Sequence, residues 1–247
     1  MKSVLVPPEP DVFIQANCVP SPESTVLIGF PGSGLAGSIA VSYIIDVMEF
    51  SQIGCITSKF FPPMALMANG VISMPVRIYT KDKYIAILAD LPIQSALCYE
   101  VARTLVQWFE SILVKEIIVI AGIVTNENEN RVFATVTEKE LLEKLPEVCI
   151  PSPIGNISGI AGSILVESKI RKIPGIGLLA EAINAPDPRA SSSVVSVLNT
   201  YLSLDVDVSA LLEQADEIES QMHHLAEEVS SSNAYDTHKR ETLPMYG

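Results

Sequence analysis

The residues whose types and spacing point most directly to chemistry are Gly32-Ser33-Gly34-Leu35-Ala36-Gly37. They spell G-x-G-x-x-G after an apolar run at 24–30 and ahead of a helical pattern at 35–48. In that setting glycines permit a tight turn, let the backbone approach a phosphate and aim a helix N-terminus at the anion. Gly32, Ser33, Gly34 and Gly37 are therefore a possible ligand loop. The rest of a dinucleotide fingerprint is missing: the second strand ends Ser58-Lys59-Phe60, where a ribose-binding acid belongs. No Gly-Lys-Ser/Thr follows the loop, so it is not a Walker-type cradle. A tight turn with close helix–strand packing accounts for the same glycines.

Asp90 and Glu181 each fall near the end of a predicted strand, where α/β sites open, and a carboxylate there can act as a general base. A salt-bridged strand end or a helix cap explains them as well. The only histidines are His223, His224 and His238, all in the last tenth of the chain. A Ser-His-Asp triad, a Cys-His pair or a histidine-bearing metal site would have to borrow from the tail or from a neighbouring subunit. No catalytic residue is assigned, and neither a metal nor a cofactor is expected. Cys18, Cys55, Cys98 and Cys149 are widely spaced without a C-x-x-C pair, so they read as buried, reduced thiols.

The elements that must position these residues follow from the apolar periodicity. Residues 1–23 carry five prolines and read as an extended arm. Strand 24–30, helix 35–48 and strand 52–58 form an opening βαβ unit, which implies parallel pairing. Stretches 71–79 and 84–91 flank Thr80-Lys81-Asp82-Lys83 as a hairpin. A helix over 95–112, a strand over 116–121, a polar loop at 126–131, a short strand at 133–136 and a short helix at 138–145 come next. A second glycine-rich segment at 155–162 leads into a helix near Val166, then a strand at 175–182 and a helix at 189–202. Strands alternating with helices predict a three-layer α/β/α sandwich with a mixed sheet over 24–208.

Beyond Asp207 the pattern changes. Leu211, Ala215, Ile218, Met222, Leu225 and Val229 recur at alternating steps of four and three, the seam of an amphipathic helix over 209–232. Such a stripe packs either on its own domain or on a copy of itself. Residues 233–247 read as a flexible tail ending Pro244-Met245-Tyr246-Gly247. A hydrophobic residue, a tyrosine and a free terminal carboxylate can fill a pocket through apolar burial, ring stacking and pairing with a lysine or arginine.

Ile28-Gly29-Phe30-Pro31-Gly32-Ser33-Gly34, Asn156-Ile157-Ser158-Gly159-Ile160-Ala161-Gly162, Pro174-Gly175-Ile176-Gly177-Leu178-Leu179-Ala180-Glu181 and Asp187-Pro188-Arg189-Ala190 stand in this order along the chain. In that order they resemble the PAC2 family of proteasome assembly chaperones and their archaeal homologues. The resemblance implies a phosphorylase/hydrolase-like sandwich serving as a binding scaffold, with homo-oligomers and contacts to the α subunits of the 20S proteasome. It implies docking through Met245, Tyr246 and Gly247. The alternative is a phosphate- or nucleoside-handling enzyme of the phosphorylase/hydrolase type that uses the Gly32–Gly37 loop.

Composition narrows the field further. Apolar residues make up 48% of the 247 and the formal net charge is -13. That charge repels nucleic acid and anionic membranes and favours a basic pocket on a partner. The longest apolar stretch, 117–124, is far short of the roughly 20 residues a bilayer needs. The opening Met1-Lys2-Ser3-Val4-Leu5-Val6-Pro7-Pro8 is too short for a signal-peptide core, so a cytoplasmic location is expected.

Overall fold

The computed structural model describes residues 11–217, except positions 69, 126 and 128. Its strands are β1 (Val12–Ala16), β2 (Thr25–Gly29), β3 (Ser51–Ser58), β4 (Leu66–Ala68), β5 (Val71–Ser73), β6 (Val76–Lys81), β7 (Tyr84–Ala89), β8 (Glu116–Ile123), β9 (Val132–Val136), β10 (Cys149–Pro151) and β11 (Gly175–Glu181). Its helices are α1 (Ala36–Val47), α2 (Ser95–Ser111), α3 (Gly159–Ile170) and α4 (Pro188–Leu202). Among the described residues nine strands form one mixed sheet in the order β1-β3-β6-β7-β2-β8-β11-β9-β10. Strands β7, β2, β8 and β11 make a parallel centre, and β6 and β9 flank it antiparallel.

The central strands read as unbroken apolar runs because both their faces are covered. Every residue of β2, β7 and β11 is buried. On one face α2 and α3 pack against Ile28, Ile87 and Ile117. Leu97, Val101, Leu105 and Phe109 recur every four residues along α2 and give it one apolar stripe. On the other face α1 and α4 enclose Leu27, Ile44, Ile118 and Leu198. Asp187 starts α4, its carboxylate accepting the Ala190 N–H at 3.0 Å with Pro188 in the first turn. The three-layer mixed sandwich is thus the architecture observed.

Several local expectations are corrected. Strand β3 runs in the same sense as β2 but does not pair with it. The β6–β7 hairpin lies between them, and β3 is bonded antiparallel to β6 and β1. The hairpin closes within two residues, Lys81 opposite Tyr84, so local pairing takes the place beside β2. The expected N-terminal arm contains β1, which forms one edge of the sheet against β3. That close approach needs Gly54, since a Cβ there would lie 2.1 Å from the Gln15 carbonyl oxygen. The predicted strand 71–79 is split at Pro75, which has no N–H to donate to a ladder. Its first part pairs with β4 in a separate two-stranded ladder.

The helix expected at 138–145 is a 3-10 turn over Lys139–Lys144. Cys98 and Cys149 are buried free thiols, Cys55 is half-buried, and Cys18 is exposed, contrary to expectation. Residues 209–217 are helical, with Leu211 and Ala215 1% and 3% exposed. The start of the predicted seam therefore faces its own domain. Ile218, Met222, Leu225, Val229, the three histidines and Met245-Tyr246-Gly247 lie outside the described residues.

Phe109 is fully buried where α2 meets the sheet. Phe109→Ala is expected to cost about 3–5 kcal/mol, seen as a lower urea midpoint with an unchanged slope. A loss below about 1 kcal/mol would contradict this packing.

Candidate functional site

The carboxyl ends of β2, β7, β8 and β11 lie at one end of the sheet. Strands β2 and β8 are paired neighbours, but their outgoing chains part. The chain from β2 passes through α1 to β3, whereas the chain from β8 leads to β9 at the opposite side. Such a switch point is where open α/β sheets place ligands. A cavity of about 470 Å³ opens here, walled by Gly32 and Ser33 on one side and Ile157 to Ala161 on the other.

Most of the glycine loop is committed to packing. Gly34 has φ +63°, and a Cβ there would sit 2.6 Å from the Ala182 Cβ. Its carbonyl accepts the Asp187 N–H at 2.8 Å, joining the loop to the start of α4. A Cβ on Gly37 would lie 2.2 Å from the Ile120 carbonyl oxygen. On β8, a Cβ at Gly122 would lie 2.0 Å from the Ser33 carbonyl oxygen. Backbone meets backbone, as close helix–strand packing demands. Only Gly32 is open, with nothing within 4 Å of its would-be Cβ. Gly34, Ala182 and Asp187 thus meet at one end of the sheet, beside the cavity wall formed by residues 157–161.

The candidate acids do not converge. Asp90 pairs with Arg77 at 2.7 Å, at the end of β7. Glu181 ends β11, three inter-strand steps away, which is roughly 14 Å. Its carboxylate is 1% exposed and fully partnered. Arg131 binds it through Nε at 3.2 Å and Nη2 at 2.9 Å. The backbone N–H groups of Glu129 and Arg131 donate at 2.9 and 3.3 Å, and the Thr125 hydroxyl donates as well. The Arg131 hydrogen bonds are the largest cause that pulls its carboxyl down to about 2, against the opposing effect of burial. A carboxylate held so far below neutrality is a poor proton acceptor. Glu181 is a clamp on the loop between β8 and β9. The sequence marked Glu181 but not Arg131 or Thr125; the polar loop running into β9, which pairs with β11, was the available signal.

Among the described residues the 470 Å³ cavity is lined by backbone, apolar side chains, Ser33, Ser158 and Asn156, with no titratable side chain. Nor do the described residues hold a cluster of histidine, cysteine or acidic groups that could bind a metal. Among them, no helix is long and apolar enough to cross a membrane. The arrangement can hold a ligand or support a binding surface, but it brings no acid–base pair to the cavity.

These features define an α/β sandwich with close glycine backbone crossings beside an open cavity at its switch point. The sequence pattern of the PAC2 family matches residues 26–226, and the chain belongs to that family. It is 28% identical in sequence to Pyrococcus furiosus PbaA, an archaeal homologue of proteasome-assembly chaperone, with a TM-score of 0.82 over 94% of this chain and 99% of that one. It is similar to Pyrococcus furiosus PbaB, an archaeal proteasome activator, at 26% identity and a TM-score of 0.79 over 88% and 100% of the two chains. An uncharacterized protein of Methanocaldococcus jannaschii is 29% identical over 87% of this chain and 91% of its own length. The chain is therefore built like the proteasome-assembly-chaperone homologues.

Two substitutions test the site's construction. Gly37→Ala drives a methyl into the Ile120 carbonyl and is expected to destabilise by about 1–3 kcal/mol or prevent folding; an unchanged urea midpoint would contradict the crossing. Glu181→Gln is expected to lower stability at pH 7 by about 1–3 kcal/mol. The folded carboxyl lies below its ordinary value, so its contribution is whole above about 4.5 and is lost as pH falls towards about 2. The gap between wild type and variant should close across that window; a gap independent of pH would contradict the clamp.

Proposed function

We propose that this chain is a non-catalytic binding protein of the proteasome-assembly-chaperone type. It works as a homo-oligomer in the cytoplasm and docks on the α subunits of the 20S proteasome. The observation that carries this reading is the similarity to PbaA and PbaB across nearly the full length of both partners. The contact residues proposed are Met245, Tyr246 and Gly247, whose apolar side chain, phenol ring and terminal carboxylate suit a pocket with a basic floor. A net charge of -13 draws the chain to a basic site. Several tails on one oligomer raise a weak single-tail affinity through effective concentration. Glu181, tied to Arg131, and a cavity lacking titratable groups both favour scaffolding over proton-transfer chemistry.

Co-sedimentation with purified archaeal 20S proteasome tests the reading, comparing the full chain with a version ending at Pro244. Retention of the full chain, and at least tenfold less of the shortened one at equal fold and oligomeric state, is expected on the loss of such an anchor. Equal retention would move the contact to the sandwich. If neither binds and a nucleotide panel gives saturable heat, the enzyme reading through the Gly32–Gly37 loop replaces this one.

A further inference from the structure

Two surfaces without carboxylates lie on opposite flanks of the sheet. The first is the β4–β5 hairpin, a two-stranded ladder separate from the main sheet. It exposes Met67 at 80%, Val71 at 68% and Ile72 at 69%, with Phe60, Met64 and Met74 also exposed nearby. From Phe60 to Val76 there is no charged residue, in a chain that is 18% charged. A hairpin this short is marginal alone in water and its edges invite pairing. An apolar cover would stabilise it.

The second surface is a groove of about 480 Å³ between α3 and the β9–β11 side of the sheet. Phe133, Leu165, Leu179 and Ile157 line it, and Ile154 and Val166 stand on it fully and largely exposed. Ile170 continues the exposed face one turn along α3. Its lining includes no carboxylate, and its one charged side chain, Lys169, donates to the Thr137 carbonyl at 2.6 Å. The Ser152 hydroxyl is buried in the wall with no partner among the described residues.

The hairpin cannot reach the groove of its own chain. Two residues, Met74 and Pro75, separate β5 from β6, a span of at most about 11 Å. Strands β6 and β9 are five inter-strand steps apart, roughly 24 Å. A second copy meets the requirement. With -13 on each chain, copies repel wherever carboxylates face one another, and these are two surfaces where none do. A basic partner would gain more from the acidic remainder of the surface.

We propose that the β4–β5 hairpin of one copy docks in the α3–β9 groove of the next. This rests on the homo-oligomer reading above and names its interface. The contact is heterologous, hairpin to groove, so repetition closes a ring when the rotation between copies permits.

The test is site-directed cross-linking of the full chain in a Cys18→Ser background. Met67→Cys and Ile154→Cys are made singly, then mixed and oxidised. The mixture is expected to give a covalent dimer containing one of each, and neither single variant alone should cross-link. Ile72→Asp and Val166→Asp, at exposed positions, are expected to reduce the assembly mass to the 26.7 kDa monomer with an unchanged urea midpoint. A wild-type chain that is monomeric at micromolar concentration overturns the oligomer reading and the interface with it. An oligomer that survives both aspartates, or gives no mixed cross-link, overturns the interface alone. Cross-linking of Met67→Cys to itself overturns the hairpin-to-groove contact in favour of a symmetric one.

Discussion

At the carboxyl ends of β2 and β8 three peptide groups lie where side chains would otherwise stand. The Gly37 carbonyl oxygen is 2.3 Å from the Cβ position of Gly29, the Ile120 oxygen is 2.2 Å from that of Gly37, and the Ser33 oxygen is 2.0 Å from that of Gly122. Contacts this short exist only because all three positions lack a Cβ. They seat α1 on the parallel centre of the sheet and hold the glycine loop over β8. Through Gly34 they also fix the start of α4, since the Asp187 N–H donates to the Gly34 carbonyl. One close-packed crossing thus sets where both helices of that face lie.

The crossing also directs what the site can do. The Cβ sides of Gly34 and Gly37 are filled by protein, and of the loop glycines Gly32 alone has open space there. At the neighbouring strand end Glu181 is saturated by Arg131, Thr125 and two backbone N–H groups. A carboxylate so held rigidifies a loop and does not shuttle protons. Outside the packed core the described residues expose an apolar hairpin and an apolar groove.

The central strands were legible because burial on both faces leaves an unbroken apolar run, as in Thr25–Gly29 and Gly175–Glu181. The helices were legible from apolar spacing, as with Leu97, Val101, Leu105 and Phe109. Strand neighbours were not. Nothing in the local pattern of Ser51–Ser58 says that a hairpin formed later in the chain will separate it from β2, because pairing is decided between segments distant in sequence. Strand β1 was missed because Val12–Ala16 is short and lies after a proline-rich start. At the site, the sequence marked the glycines but not their use. Ligand loop and packing loop share one spelling, and the close approach of Ile120 and Ala182 is not written in it. Arg131 was invisible for the same reason, being brought to Glu181 by the antiparallel pairing of β9 with β11.

We propose that this chain binds the 20S proteasome. Native mass spectrometry of the chain mixed with archaeal 20S proteasome tests it most directly. The account predicts new species heavier than the proteasome by whole multiples of the 26.7 kDa chain. Only free chain and free proteasome, at concentrations well above micromolar, would contradict it.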